Sequence, residues 1–174
     1  LTDEQNNIYV VSYTFSTDFP ITPNAVQTTH GGNLDACVFK INSNLDNLLW
    51  STYLGGTEAD AAYSLQINSL KRIVVSGGTR SNNFPTTTNV ALHNTFQGGI
   101  SDGFIAILQP DGSSLFTSTF IGTNLYDQVY FVQLDTNDNV YFVGQTSGSY
   151  PVSQGVYHNT NARIFIHKVS PDLN

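Results

Sequence analysis

Trp50-Ser-Thr-Tyr-Leu-Gly-Gly56 returns 67 residues later as Thr117-Ser-Thr-Phe-Ile-Gly-Thr123. Around this pair other landmarks keep the same step. Asp60 is followed by Asp127, and Asp35-Ala-Cys-Val-Phe-Lys-Ile41 by Asp102-Gly-Phe-Ile-Ala-Ile-Leu108, with Arg163-Ile-Phe-Ile-His-Lys-Val169 as a looser third copy. Phe19-Pro20, Phe84-Pro85 and Tyr150-Pro151 stand 65 and 66 residues apart. Each pair follows a β-branched or aromatic run: Ile8–Val11, Ile73–Val75 and Val140–Val143. Landmarks recurring in one order at one step define a tandem repeat, and a repeat governs every later reading of the fold.

Each unit reads as four short strands rich in Val, Ile, Phe, Tyr and Thr, bounded by Gly, Asn, Asp or Pro. The first covers 8–14, 72–79 or 140–146, and the second 36–41, 103–108 or 164–169. The third covers 48–54 or 115–121, and the fourth about 62–67 or 129–134. Pro110-Asp111-Gly112, Asn42–Asp46 and Asn137-Asp138-Asn139 supply the turns, where Asn and Asp tolerate positive φ. No window keeps a 3.6-residue apolar period, so no helix is expected. The connection between first and second strands is about twenty residues long, the part of each unit most suited to binding.

Four antiparallel strands repeated in tandem is the blade pattern of a β-propeller. The expected fold is therefore all-β: a partial propeller of about two and a half four-stranded blades, with a sandwich-like or open repeat array as the alternative. The units run over 1–68, whose first residues close a preceding strand-turn, then 69–135, and 136–174 as the first half of a third blade. Closed propellers need at least four blades. Further repeats are thus expected before Leu1, after Asn174, or both, within one larger propeller. The absence of methionine also marks Leu1 as no translation start.

Composition bounds the partners. Charged residues are 11% of the chain, against roughly 25% in a typical domain. Six scattered basic residues and a net charge of −7 make no patch for a nucleic-acid backbone. No run of 18 apolar residues is present, which argues against membrane insertion. One cysteine, Cys37, allows neither an internal disulfide nor a Cys-based zinc site, and its apolar strand marks it as a buried thiol.

The quoted motifs resemble the SBBP repeat, a bacterial β-propeller family. The match is carried by Val74-Val-Ser-Gly-Gly-Thr79, Phe84-Pro-Thr-Thr87, Asp102–Leu108, Pro110-Asp-Gly112 and Ser51-Thr-Tyr-Leu-Gly-Gly56, and it covers nearly the whole chain. Arg163 in place of Asp, and Tyr150-Pro-Val-Ser153 in place of Phe-Pro-Thr-Thr, make the third unit the least regular. The resemblance implies large secreted or surface-attached proteins of Bacteroidota, often cargo of type IX secretion and linked to gliding. It implies an extracellular or outer-membrane-associated location, with the periplasm as an alternative, and no catalytic activity.

Candidate binding residues lie in the long loops: Phe19, Pro20 and His30; Phe84, Pro85, His93 and Phe96; Tyr150, Pro151 and His158. The histidines lack the spacing of a metal or general-base motif and read as loop residues. Asp35, Asp60, Asp102 and Asp127 stand at strand ends and read as turn caps, with calcium as the weaker alternative. Ser76-Gly77-Gly78 is no phosphate loop, and no G-x-S-x-G elbow exists. No catalytic residue and no cofactor are expected. Trp50, Tyr53 and Phe120 read as core, while Tyr150 or Phe96 could offer a sugar platform. The expected function is a non-enzymatic module for protein–protein interaction, adhesion or assembly, with partners among surface or secretion proteins and glycans as a second class. The alternatives are an accessory propeller of an extracellular, glycan-active enzyme, and a subunit or cargo docked to a type IX secretion or gliding machine.

Overall fold

The computed structural model describes residues 1–88, 92–159 and 161–174. It is all-β, and no helix occurs among the described residues. Ten strands follow in order: β1 (Ile8–Thr14), β2 (Asp35–Ile41), β3 (Leu48–Leu54), β4 (Asp60–Ile67), β5 (Ile73–Thr79), β6 (Asp102–Leu108), β7 (Leu115–Ile121), β8 (Asp127–Leu134), β9 (Val140–Thr146) and β10 (Ile164–Val169). They form three antiparallel meanders, ordered β1-β2-β3, β4-β5-β6-β7 and β10-β9-β8. None of the three closes on itself.

Sheets and sequence units are out of phase by one strand. β4 pairs with β5, from Asp60↔Thr79 to Ile67↔Ile73, and β8 pairs with β9 in the same way. The fourth strand of each unit therefore belongs to the sheet of the unit that follows. Leu1 and Thr2 take the corresponding place beside β1, through a Thr2↔Ile8 bridge and the Tyr9 N–H donated to the Leu1 carbonyl at 2.8 Å. Bulges also keep the period, at Ala62/Ser64 and Val129/Phe131 and at Lys40/Ile41 and Ile107/Leu108. A bulge re-aims every later side chain, so its repetition keeps the apolar faces aligned from sheet to sheet.

The sheets pack face to face through two cores. Tyr9, Val38, Trp50 and Leu54 of the first sheet meet Ile73, Val75, Phe104, Leu108 and Phe120 of the second. The other face of the second sheet, with Val74, Ile105, Ile107 and Ile121, meets Val129, Val132, Phe142 and Phe165 of the third. The central sheet is thus covered on both sides, which explains why every residue of β5 and β6 is buried. Burying each of the Ile, Val, Leu and Phe side chains among them contributes about 1.5–3 kcal/mol. β10 keeps Ile164 and Ile166 exposed on the face the central sheet does not cover.

The meander gives the protein two unlike ends. At one end every connection is a tight turn. Asp3, Asn68 and Asp135 each accept two backbone N–H groups at Oδ1, from Gln5 and Asn7, Leu70 and Arg72, and Asn137 and Asn139. Asn6, Lys71 and Asp138 then adopt φ of 59°, 62° and 61°. Burial opposes ionisation of Asp3, but Lys40 at 2.9 Å and the Asn7 bonds hold its carboxyl down at about 2. At the other end lie the long loops.

Candidate functional site

The long loops are anchored more firmly than their length suggests. The first runs along the outer edge of β3. Thr22 N–H donates to the Ser51 carbonyl at 3.4 Å, Ser51 N–H to Thr22 Oγ1 at 3.1 Å, and Tyr53 N–H to the Gln27 carbonyl at 3.2 Å. The second repeats this beside β7. Thr87 N–H reaches the Ser118 carbonyl at 3.0 Å, and Phe120 N–H reaches the His93 carbonyl at 2.8 Å. Each loop thereby satisfies the edge groups of an outer strand that would otherwise invite pairing with another chain.

The aromatic residue before each proline is the loop's anchor. Phe84 is 3% exposed, with its ring 4.3 Å from Phe104 and 6.2 Å from Phe120. Phe96 meets Phe120 edge-on at 5.9 Å. Phe19 lies 5.8 Å from Phe39 and 6.0 Å from Tyr53, whose hydroxyl accepts the Phe19 N–H and donates to the Ser16 carbonyl. Tyr150 stacks on Phe165 at 3.8 Å, and its hydroxyl meets His167 Nδ1 at 2.9 Å. Burial pushes the Tyr150 phenol well above the ordinary tyrosine range and pulls His167 down.

The remaining loop candidates scatter. His30 packs edge-on to Tyr53, with Nε2 3.1 Å from the Thr14 carbonyl. His93 is half-buried, its pKa lowered by burial, and it serves β7 through its backbone. Pro20 and Pro151 are exposed and Pro85 is half-buried, while His158 stands in an exposed run over 151–159. The ten residues therefore stay on three separate loops and do not form one constellation.

The repeated aspartates are organised into pairs. All four are fully buried. Asp35, Asp60, Asp102 and Asp127 accept at Oδ2 the N–H groups of Gly31, Gly56, Gln97 and Thr123, at 2.7, 2.7, 2.5 and 2.6 Å. This is turn capping, as the sequence suggests. Among the described residues each Oδ1 has no partner. Asp35 and Asp60 flank Gly55, and Asp102 and Asp127 flank Gly122; a Cβ on either glycine would lie about 3 Å from both carboxyls. Like charges so placed disfavour ionisation. Burial is the larger cause: it raises Asp60, and it takes Asp102 up to about 7 against the opposing Gln97 N–H bond, with Asp127 adding to the rise. Among the described residues, no group of three or more His, Cys, Asp or Glu is placed to hold a metal ion. Cys37 is buried and its thiol is pushed up to about 11.

Two clefts open at the loop end. One, of about 470 Å³, lies among Asn124, Ser147, Ser149, Asn161 and Arg163. The other, of about 330 Å³, is where all three sheets converge. Phe15 and Asn33 come from the first sheet's connections, Tyr63 and Arg80 from the second sheet, and Tyr126 and Gln128 from the start of the third. Sequence reasoning missed this cleft, because its residues lie on short connectors and strand starts. The one available signal was position 78, where the repeat places Tyr13, Gly78 and Gln145 in turn. The chain matches no protein-family model and no curated protein.

Proposed function

We propose that the chain is part of a β-propeller of SBBP type, serving as a non-enzymatic interaction module of a secreted or cell-surface bacterial protein. The observation that carries this reading is the shared stacking of the sheets. Successive sheets use the same register, the same bulges and the same sheet-to-sheet joint: the Asp60 N–H donates to the Leu34 carbonyl at 2.7 Å, and the Asp127 N–H to the Ser101 carbonyl at 2.8 Å. A constant step between blades is what a radial array requires. Short, uniform turns at one end and long loops at the other favour the loop end as the face that meets partner proteins.

The test is photo-crosslinking in the producing bacterium, with a benzophenone amino acid placed singly at Pro20, Pro85 and Pro151 and, at the turn end, at Asn44 and Asp111. The reading expects discrete adducts with envelope or surface proteins from the loop positions. Adducts formed from the turn end alone would reverse the assignment of the binding face. Recovery of the protein in the cytoplasmic fraction would remove the surface reading altogether.

A further inference from the structure

The cleft at the meeting of the three sheets has features that packing does not explain. Position 78 is one the repeat leaves variable. Tyr13 and Gln145 occupy the equivalent places, but Gly78 leaves a hollow into which the Gln128 amide folds. Gln128 is 7% exposed, and its Nε2 donates to Ser101 Oγ, which in turn donates to the Thr79 carbonyl at 3.0 Å. Its Oε1 has no partner among the described residues. Left unpaired, that buried oxygen costs about 1–3 kcal/mol, which a donor entering the cleft would recover once the amide turns out of the Gly78 hollow.

The walls narrow what that donor belongs to. Tyr63 is 42% and Phe15 69% exposed, although both line the cleft. The Tyr63 ring is braced 5.6 Å from Tyr130, whose hydroxyl is 3.3 Å from that of Tyr126 and donates to Gln145 Oε1. A rigid, open aromatic beside polar side chains suits a ligand with one apolar face and a rim of hydroxyls. Arg80, exposed and in no salt bridge among the described residues, and the Asn33 amide add donors at the rim. The chain's net charge of −7 disfavours an anionic ligand. The volume, about 330 Å³, lies at the small end of ligand sites and fits one ring better than an extended chain.

We propose that this cleft binds a neutral sugar ring, stacked on Tyr63 and hydrogen-bonded to Gln128 Oε1, Arg80 and Asn33. Every residue lining the cleft belongs to the described chain. The test is saturation-transfer NMR on the intact chain with the methyl glycosides of glucose, galactose, mannose and N-acetylglucosamine, followed by titration calorimetry on any that respond. At least one should bind, and Tyr63→Ala should weaken it about tenfold, equivalent to 1.4 kcal/mol. Gln128→Leu should do the same. Because that residue is buried, Arg80→Ala, on an exposed side chain, serves as the variant whose folding is secure. Tyr157→Ala, on the exposed loop far along the chain, should leave binding unchanged. Three outcomes overturn the proposal: no transfer to any of the four glycosides, transfer that survives both Tyr63→Ala and Arg80→Ala, or transfer only to an added glucuronide.

Discussion

Replacing Asp102 by Asn should make the protein more stable at pH 8 and leave it nearly unchanged at pH 4. In the folded chain the carboxyl is held at about 7, chiefly by burial, while in the unfolded chain it titrates at the ordinary aspartate value of 3.8. Well below pH 4 both states carry the proton and the group contributes no difference. As pH rises from 4 to 7 the unfolded state releases its proton while the folded state keeps it, so stability falls with pH. Above 7 the loss is complete. The difference between 3.8 and about 7 corresponds to about 4 kcal/mol. Asn retains an oxygen for the Gln97 N–H and carries no charge to set against Asp127.

The assay is thermal unfolding of both proteins by circular dichroism at pH 4, 6 and 8. At this chain length each kcal/mol moves Tm by about 2–4 °C, so the variant should gain roughly 10 °C over the parent at pH 8. Taking the difference between the two proteins cancels groups that act in the opposite sense, such as Asp3 with its lowered pKa. A gap between the two melting curves that stays constant from pH 4 to pH 8 would refute the buried-pair argument.

Other consequences can be measured on the same protein. Phe84→Ala removes the ring wedged against Phe104 and should cost about 3–5 kcal/mol in urea titration, whereas the same change at exposed Tyr157 should cost almost nothing. Gly77→Ala places a Cβ 2.0 Å from the Ala61 carbonyl oxygen and 2.6 Å from the Phe104 ring, so its denaturation midpoint should drop by an amount equivalent to about 1–3 kcal/mol or more. Leu45→Gly relieves a non-glycine residue at φ 63°, where the equivalent turn already has Gly112 at 68°, and should raise Tm by a few degrees. Cys37 should react with a disulfide reagent at pH 8 only after denaturation; rapid native labelling would contradict its burial.

The strands were legible from sequence almost residue by residue. Five of ten share both limits with the sequence reading, because β-branched runs bounded by Gly, Asn and Asp leave little freedom, and β5 begins one residue late, at Ile73. The second strands begin one residue early, at Asp35 and Asp102, and the fourth strands two early, at Asp60 and Asp127. In each, the capping aspartate is itself part of the ladder, and in the fourth strands the bulge at Ala62/Ser64 breaks the alternation. The phase of the sheets was not legible, since a repeat fixes only a period and leaves its starting point open. The aromatic–proline motif was legible as a motif, yet its proximity to loops gave no sign that Phe84 turns inward. Side-chain direction at a loop depends on an anchor far along the chain, such as Phe120, 36 residues beyond Phe84.

The one-strand offset between sequence unit and sheet has a consequence for how such arrays break and how they are copied. A unit excised at its sequence boundaries takes with it a strand laced by backbone hydrogen bonds into the following sheet, as β4 is laced to β5. No unit can therefore unravel without tearing a seam in its neighbour, and pulling from one end should open the array in coupled steps. The same seam constrains gene duplication. A copied unit arrives with a loose strand ready to complete the next sheet, so the array can lengthen one unit at a time without leaving a broken join.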